Sequence, residues 1–376
     1  MRYIITLSSV CLLVVLVGVM IIDNPTSPAM KDEFKDKFLL GAAVNNEVVN
    51  GKDQKAVAIV QQHFNTITAE DEMKWERIHP KLDEYTFKNA DRFVEFGQKN
   101  NMFIIGHTLI WQSQIPEWAF YDQSKKLIGR EAMLARMKDH IYTVVGRYKG
   151  KVHGWDVVNE ALSDEGPLNK SKWLETIGED FIAKAFEYAH DADPSAELYY
   201  NDYSLDKPSK RDATVRLVKD LQSKGLRIDG VGIQGHWGID YPLEEEFDAF
   251  VNAISALKIK VMVTELDVDI LPPAFNYFGA DINKQAELRK ELNPYAESLP
   301  DSAQVKLTKR YNEIFSMLLK HTGKISRVTF WGVYDGTSWL NNWPILGRTS
   351  YPLLFDRNYQ PKPAFYSVLK TVKGKK

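Results

Sequence analysis

Cysteine is all but missing. Cys11 is the single one in 376 residues, and it lies inside an apolar run near the N-terminus. The rest of the chain can therefore form neither a disulfide nor a thiolate metal site. Val10 is bulky for the residue before a lipidated cysteine, so Cys11 reads as apolar filler. An excess of either charge is missing too. Lys plus Arg number 48 against 50 Asp plus Glu, a net charge of -2, which argues against a nucleic-acid partner and its basic stripe. After Met30 no linker, internal repeat or low-complexity run divides the chain. No glycine-rich phosphate loop follows the first apolar run, which ends "AAVNNEV", and this weakens a nucleotide-binding open sheet. With no covalent staple, stability must rest on one large core.

What is present is ordinary in balance, with 44% hydrophobic and 26% charged residues, as in globular proteins generally. Length alone allows one large domain or two average ones. The 9 Trp and 17 Tyr suit neutral, ring-shaped ligands such as sugars, although large cores also use aromatics. At the N-terminus, Tyr3 to Ile22 carries no charge and gives way to "DNPTSPAM". One basic residue, an apolar run and small residues near Ser27 and Ala29 fit an export signal. The run is also nearly long enough to span a bilayer. Residues 1–29 thus read as a signal peptide or a membrane anchor through residues 3–22, and residues 30–376 as one exported domain.

From Phe38 onward, eight short apolar runs alternate with longer helical patterns. The runs are Phe38–Val44, Phe64–Glu70, Met102–Ile110, Val152–Glu160, Glu197–Tyr203, Gly230–His236, Lys260–Val268 and Arg327–Asp335. Helical segments starting at Glu131, Phe181, Lys210 and Val305 have apolar positions three and four apart, as an amphipathic helix lying on a sheet requires. Strand–helix alternation implies parallel pairing, and eight units predict an α/β fold, the (β/α)8 TIM barrel, in a single domain.

Six of these runs finish on polar groups: Glu70, His107, Asn159 with Glu160, Asn201 with Asp202, Gln234 with His236, and Glu265 with Asp267. One such carboxylate is usually a helix cap or an ion-pair partner. Six together describe the mouth of a parallel barrel, where active sites lie. Glu160 and Glu265 end the fourth and seventh runs, which face each other across that mouth. Two carboxylates across a cleft are what glycoside hydrolysis needs, one as proton donor and one as nucleophile or base. Their pKa values must be pushed apart.

The motifs "GHTLIWQSQIPEW", "WDVVNEAL", "GIQGHW", "TELDV" and "FWGVYDGTSW", in this order, resemble glycoside hydrolase family 10, the endo-β-1,4-xylanases, over Phe38 to Lys370. The resemblance implies a retaining mechanism on xylan or xylo-oligosaccharides, with Glu160 as acid/base and Glu265 as nucleophile. It implies no cofactor and no metal, and a monomer is expected. By motif, Asn159 bonds the 2-hydroxyl of the sugar being cleaved, and Gln234 and His236 hold and tune the nucleophile. His107 and Trp111 look like substrate contacts beside the cleavage point, and Trp331 and Trp339 like the aromatic roof of the cleft. Glu70 and Lys74 look like contacts to sugars on the non-reducing side, with Tyr203 a further candidate.

Two positions depart from the family pattern: Asp71 replaces an asparagine and Leu340 an arginine. The connection Leu271 to Gln304 is long, and long ordered loops are usually functional; it is expected to shape the leaving-group side. Three rivals fit less well. A metal-dependent barrel hydrolase gathers several close histidines, whereas His107 and His236 stand alone on their runs. A silent sugar-binding barrel would lose one carboxylate. Related cellulase families share the "NE" ending but not "GIQGHW" with "TELDV".

Overall fold

The computed structural model describes residues 28–273 and 290–374. The expected export segment before residue 28, and residues 274–289 of the long connection, lie outside the described residues.

Nine strands form one sheet: β1 (Leu39–Val44), β2 (Thr66–Ala69), β3 (Phe103–Ile110), β4 (Gly154–Asn159), β5 (Glu197–Asp202), β6 (Gly230–Ile233), β7 (His236–Gly238), β8 (Lys260–Asp269) and β9 (Ile325–Phe330). Every pairing is parallel. β1 pairs with both β2 and β9, and β6 with both β5 and β8, so the sheet closes on itself. β6 and β7 are two pieces of one stave, broken at Gly235 with φ +89. Beyond the break, β7 pairs farther along β8, His236 opposite Asp267. Eight staves make the expected barrel, and closure removes the open doubly wound sheet as an alternative. The strands are buried on both faces nearly throughout, which is why they read as apolar runs rather than alternating ones.

The helices at Arg130–Arg147, Phe181–Ala192, Pro208–Ser223 and Asp301–Lys320 wrap this wall. Arg130–Arg147 buries Met133, Met137, Ile141, Val144 and Val145, one apolar stripe at helical spacing. The last helix begins four residues before its apolar pattern does. In its first turn, "DSAQ", Asp301 and Ser302 are exposed while Ala303 is buried, and Asp301 is favoured by the helix dipole. The barrel wall divides the interior. A large cluster fills the space between strands and helices, while Ile105, Tyr199 and Met262 form a separate cluster. Arg327 reaches toward that smaller cluster, its guanidinium 5.7 Å from the Tyr199 ring centre and 3.1 Å from Thr329 Oγ1.

The buried His63 should make this fold sensitive to acid. His63 accepts a hydrogen bond from the Met30 amide, and burial, aided by the Lys31 charge, holds its pKa down to about 4. Its folded pKa lies below the unfolded value of about 6.5. The stability it contributes is therefore complete above pH 6.5 and is lost as pH falls toward 4. His63→Asn keeps an acceptor without a titrating ring. Relative to that variant, the wild type should lose up to about 1.4 kcal/mol per pH unit between 6.5 and 4. Paired chemical denaturations across that range would show it, and parallel pH dependences would contradict it.

Candidate active site

The polar strand ends converge at the carboxyl end of the barrel. Glu160 leaves β4 with φ +57, a left-handed backbone that a non-glycine residue adopts only when its surroundings impose it. Here they do. The Glu160 amide donates to Asn201 O at 2.9 Å, and Asn169 Nδ2 donates to the Glu160 carbonyl at 2.9 Å. A register shift between β4 and β5, after Asp156, accompanies this turn. The result aims the Glu160 side chain across the mouth instead of along the strand.

Its carboxylate accepts from Trp111 Nε1 at 2.8 Å on one oxygen and from Gln234 Nε2 at 2.7 Å on the other. Glu265, on β8, accepts from Asn201 Nδ2 at 2.7 Å and faces His236 Nε2 at 3.2 Å. Asn159 lies between the two acids, taking a hydrogen bond from Asn201 at 2.9 Å. Gly232 leaves room for this arrangement. A Cβ there would stand 2.7 Å from Asn201 Oδ1 and 2.5 Å from Thr264 Cγ2.

Electrostatics separate the pair. Burial raises the Glu160 pKa, the neighbouring Asp202 charge adds to that, and the bonds from Gln234 and Trp111 only partly oppose it. Burial alone would also raise Glu265. The hydrogen bond from His236, the nearby His107 and the Asn201 amide outweigh it, and Glu265 ends below the ordinary carboxylate range. His236 is pinned between two anions, with Nδ1 3.0 Å from Asp267 Oδ2. Burial opposes its charge, but Asp267 and Glu265 prevail and raise its pKa to about 10. It is therefore an imidazolium at neutral pH.

The remaining candidates fall around this web. Trp331 is buried, edge-on to His107 at 5.3 Å and to His236 at 6.4 Å. Trp339 donates to Asp267 Oδ2 at 2.8 Å and stacks on Trp343 at 5.0 Å. Tyr203 lies beneath the buried ammonium of Lys210, 3.3 Å from its ring centre. Glu70 follows β2, and burial together with the Asp71 charge raises its pKa to about 8. Lys74 Nζ binds Asp71 at 2.7 Å and stands 5.4 Å over the Trp111 ring.

Two expectations need correction. The Gln234 side chain holds Glu160 rather than Glu265, which it supports only through its main chain, where Gln234 O accepts from the Glu265 amide at 2.6 Å. The cause is the break at Gly235, which turns the Gln234 side chain toward β4. His107 does not end its strand either, since β3 runs on to Ile110. It is placed by Asp156, 2.9 Å from its Nδ1.

Several site groups had no role assigned from sequence. Asn201, Asp202 and Asp267 had been seen only as polar strand ends. Lys210, fully buried 2.8 Å from Asp202, looked like one more polar residue of a helix. Arg348 gave no signal at all. It bonds Asp269 at 3.0 Å, Pro272 O at 2.6 Å and Leu292 O at 2.9 Å, tying both described ends of the long connection to the end of β8. Leu340 is buried, where an arginine would need a partner for its charge.

The Asp71–Lys74 ion pair limits what the Asp71 departure costs. Asparagine offers a sugar both a donor and an acceptor, whereas aspartate only accepts. One hydrogen bond is worth roughly 0.5 to 1.5 kcal/mol. Asp71→Asn should therefore change kcat/KM on a long xylo-oligosaccharide by no more than about tenfold. The change should fall mainly in KM, because this contact is remote from the reacting bond. A hundredfold fall in kcat would contradict it.

A cavity of about 820 Å³ also exists at the opposite end of the barrel, lined by Asp229, Lys258, Lys260 and Lys324 among others. It holds no facing carboxylate pair, and in this fold that end serves stability. The mouth is where the chain can do chemistry.

Comparison with known proteins points the same way. The model of glycosyl hydrolase family 10 matches residues 29–371. Endo-1,4-beta-xylanase A of Xylanibacter ruminicola is 46% identical over 343 residues, covering 91% of this chain and 93% of that protein. A GH10 endoxylanase from a sugarcane soil metagenome superposes with a TM-score of 0.87 at 45% identity, covering 91% of this chain and 99% of the other. A xylanase of Thermoanaerobacterium saccharolyticum, solved as a mutant with xylotriose, gives a TM-score of 0.79 at 35% identity, covering 92% and 99%. Two glutamates with opposed pKa shifts, on a closed barrel matched along nearly its whole length, leave one assignment: the chain belongs to glycosyl hydrolase family 10.

Proposed function

We propose that the protein is a retaining endo-β-1,4-xylanase that cleaves internal bonds of xylan through a covalent glycosyl-enzyme intermediate. One observation carries the reading: two glutamates, Glu265 buried and Glu160 partly buried, share a hydrogen-bonded web while their pKa values move in opposite directions. In the first step a Glu265 oxygen attacks the anomeric carbon as the bond to the leaving oxygen breaks. Glu160 gives its proton to that oxygen. In the second step water attacks the glycosyl ester, Glu160 takes the water proton, and Glu265 leaves as a carboxylate. His236 and Asn201 hold both Glu265 oxygens, and the imidazolium offsets the charge that nucleophilic attack consumes and hydrolysis restores. Asn159 is placed for the 2-hydroxyl, and Glu70 with Lys74 for sugars on the non-reducing side.

The same reading includes export through residues 1–29, by cleavage or by anchoring, and a monomeric catalytic domain from residue 30. Relatives named as xylanases and a relative solved with xylotriose support the substrate class. Retention fixes the stereochemistry. NMR of early hydrolysis should show the β-anomer of the new reducing end first, with the α-anomer appearing only by mutarotation. An α-anomer at the start would exclude a Glu265 glycosyl ester.

A further inference from the structure

The helix Pro208–Ser223 carries a lysine in its first turn, Lys210, that has no exposed surface. Both features are unfavourable by themselves. A cation near a helix N-terminus opposes the helix dipole, and a buried ammonium must be paired. Its partner is Asp202, the last residue of β5 and also fully buried, with Oδ1 2.8 Å from Nζ. Tyr203 covers the ammonium with its ring, whose centre is 3.3 Å away. Asp164 comes within 3.8 Å of Nζ, but its own side chain is mostly in water. The neighbouring cations of the helix turn elsewhere, Lys207 to Asp206 and Glu246, and Arg211 to Asp212.

Asp202 is surrounded by donors. The Tyr203 amide donates to Oδ1 at 2.8 Å, and the Tyr200 hydroxyl and the Leu162 amide (3.4 Å) donate to Oδ2. Such a setting suits a carboxylate rather than a carboxylic acid. It also places that charge at the acid/base. Asn159 of β4 is paired with Asn201 of β5, so the residues that follow them, Glu160 and Asp202, are neighbours. After burial, Asp202 is the largest influence raising the Glu160 pKa, ahead of Glu265. Burial also raises the pKa of Asp202 itself, and Lys210 is the main influence against it.

We propose that Lys210 is a positioning residue for proton donation: it keeps Asp202 ionised, and the Asp202 charge keeps the proton on Glu160. The proposal rests on the xylanase reading, in which Glu160 must hold a proton at the start of each turnover. Without its lysine, Asp202 would be a fully buried carboxylate lacking its cation, and it should take up a proton. The negative charge beside Glu160 then disappears. Glu160 would lose its proton at lower pH, although the residue removed was a cation. A lysine acting on Glu160 directly would do the opposite, because deleting a positive charge makes a carboxyl group hold its proton more tightly.

The pH profile of kcat/KM on a xylo-oligosaccharide reads this out, because its alkaline limb reports the acid of the free enzyme. Lys210→Met and Asp202→Asn should both move the alkaline limb to lower pH, by about one unit. The acid limb, set by Glu265, should stay in place. Removing either of two opposite charges then gives a shift in one direction, which a packing role does not produce. An alkaline limb that moves up in Lys210→Met, or that moves in only one of the two variants, would overturn the proposal. So would a uniform fall in rate with both limbs unmoved. Should Lys210→Met fail to fold, the wild type still decides. In carboxyl NMR with isotope-labelled aspartate, the Asp202 signal, identified by its loss in the isosteric Asp202→Asn, should be that of a carboxylate at neutral pH. A protonated Asp202 there would overturn the proposal and leave the xylanase reading intact. A wild type that hydrolyses no xylo-oligosaccharide at any pH would overturn that reading, and the role of Lys210 with it.

Discussion

Glu265→Ala should reduce hydrolysis to background on both xylan and an activated aryl xyloside, with the fold intact by circular dichroism. Both substrates need a nucleophile at the anomeric carbon, and Glu265 is set for that role with both oxygens held, by Asn201 at 2.7 Å and His236 at 3.2 Å. Glu160→Ala should behave differently. On xylan the leaving group is a poor one, and loss of its proton donor costs about 10²- to 10⁴-fold. A good aryl leaving group needs little protonation, so the first step should survive within about tenfold. The second step also needs Glu160, as base, so product should appear in a burst and then slow. Stopped-flow release of the aryl group would separate the two phases. Wild-type turnover by Glu265→Ala on either substrate would refute the assignment of roles.

Removing His236 should have the next largest effect. Its imidazolium, held 3.0 Å from Asp267 and 3.2 Å from Glu265, is the main counterweight to burial in keeping Glu265 ionised. In His236→Ala that counterweight is gone, and the Glu265 pKa should rise. The acid limb of the kcat/KM profile reports the free enzyme's base, so it should move to higher pH. The alkaline limb, set by Glu160, should move much less. A hydrogen bond to a charged group is worth roughly 1.5 to 3 kcal/mol, which is about a 10- to 100-fold loss at the optimum. Asp267→Asn should move the acid limb in the same direction by less, because the histidine stays but holds its proton more weakly. A fall in rate with both limbs unmoved would reduce His236 to a packing role.

Much of this protein was legible without coordinates because barrel strands and barrel chemistry are both local in sequence. A strand buried on both faces must be an apolar run, so the chain from Phe38 to Asp335 displays its staves directly. A parallel barrel brings all carboxyl ends to one mouth, so polar residues closing those runs mark the site before any distance is known. That logic placed Glu160 and Glu265 together, with Asn159 and His236 beside them. It reached less far at element edges. The helix Asp301–Lys320 starts four residues before Val305, on a turn whose one buried residue is the small Ala303, and His107 stands inside β3 rather than at its end.

What the sequence by itself determined was the set of residue types at the mouth and the order in which the chain delivers them. Which oxygen each donor serves was decided only by the tertiary structure. Gln234 turns to Glu160 because Gly235 breaks the sixth stave. Asn201 reaches Glu265 because Gly232 carries no side chain to block it. The direction of each pKa shift was likewise beyond the sequence, since Glu160 and Glu265 are the same residue type and desolvation raises both. Asp202 beside one and His236 beside the other send them opposite ways. Arg348, 79 residues from the Asp269 it binds, has meaning only once the barrel brings them together. Coulomb and hydrogen-bond energies depend on distances of a few ångströms, and those distances are fixed by register and closure rather than by neighbours in the chain.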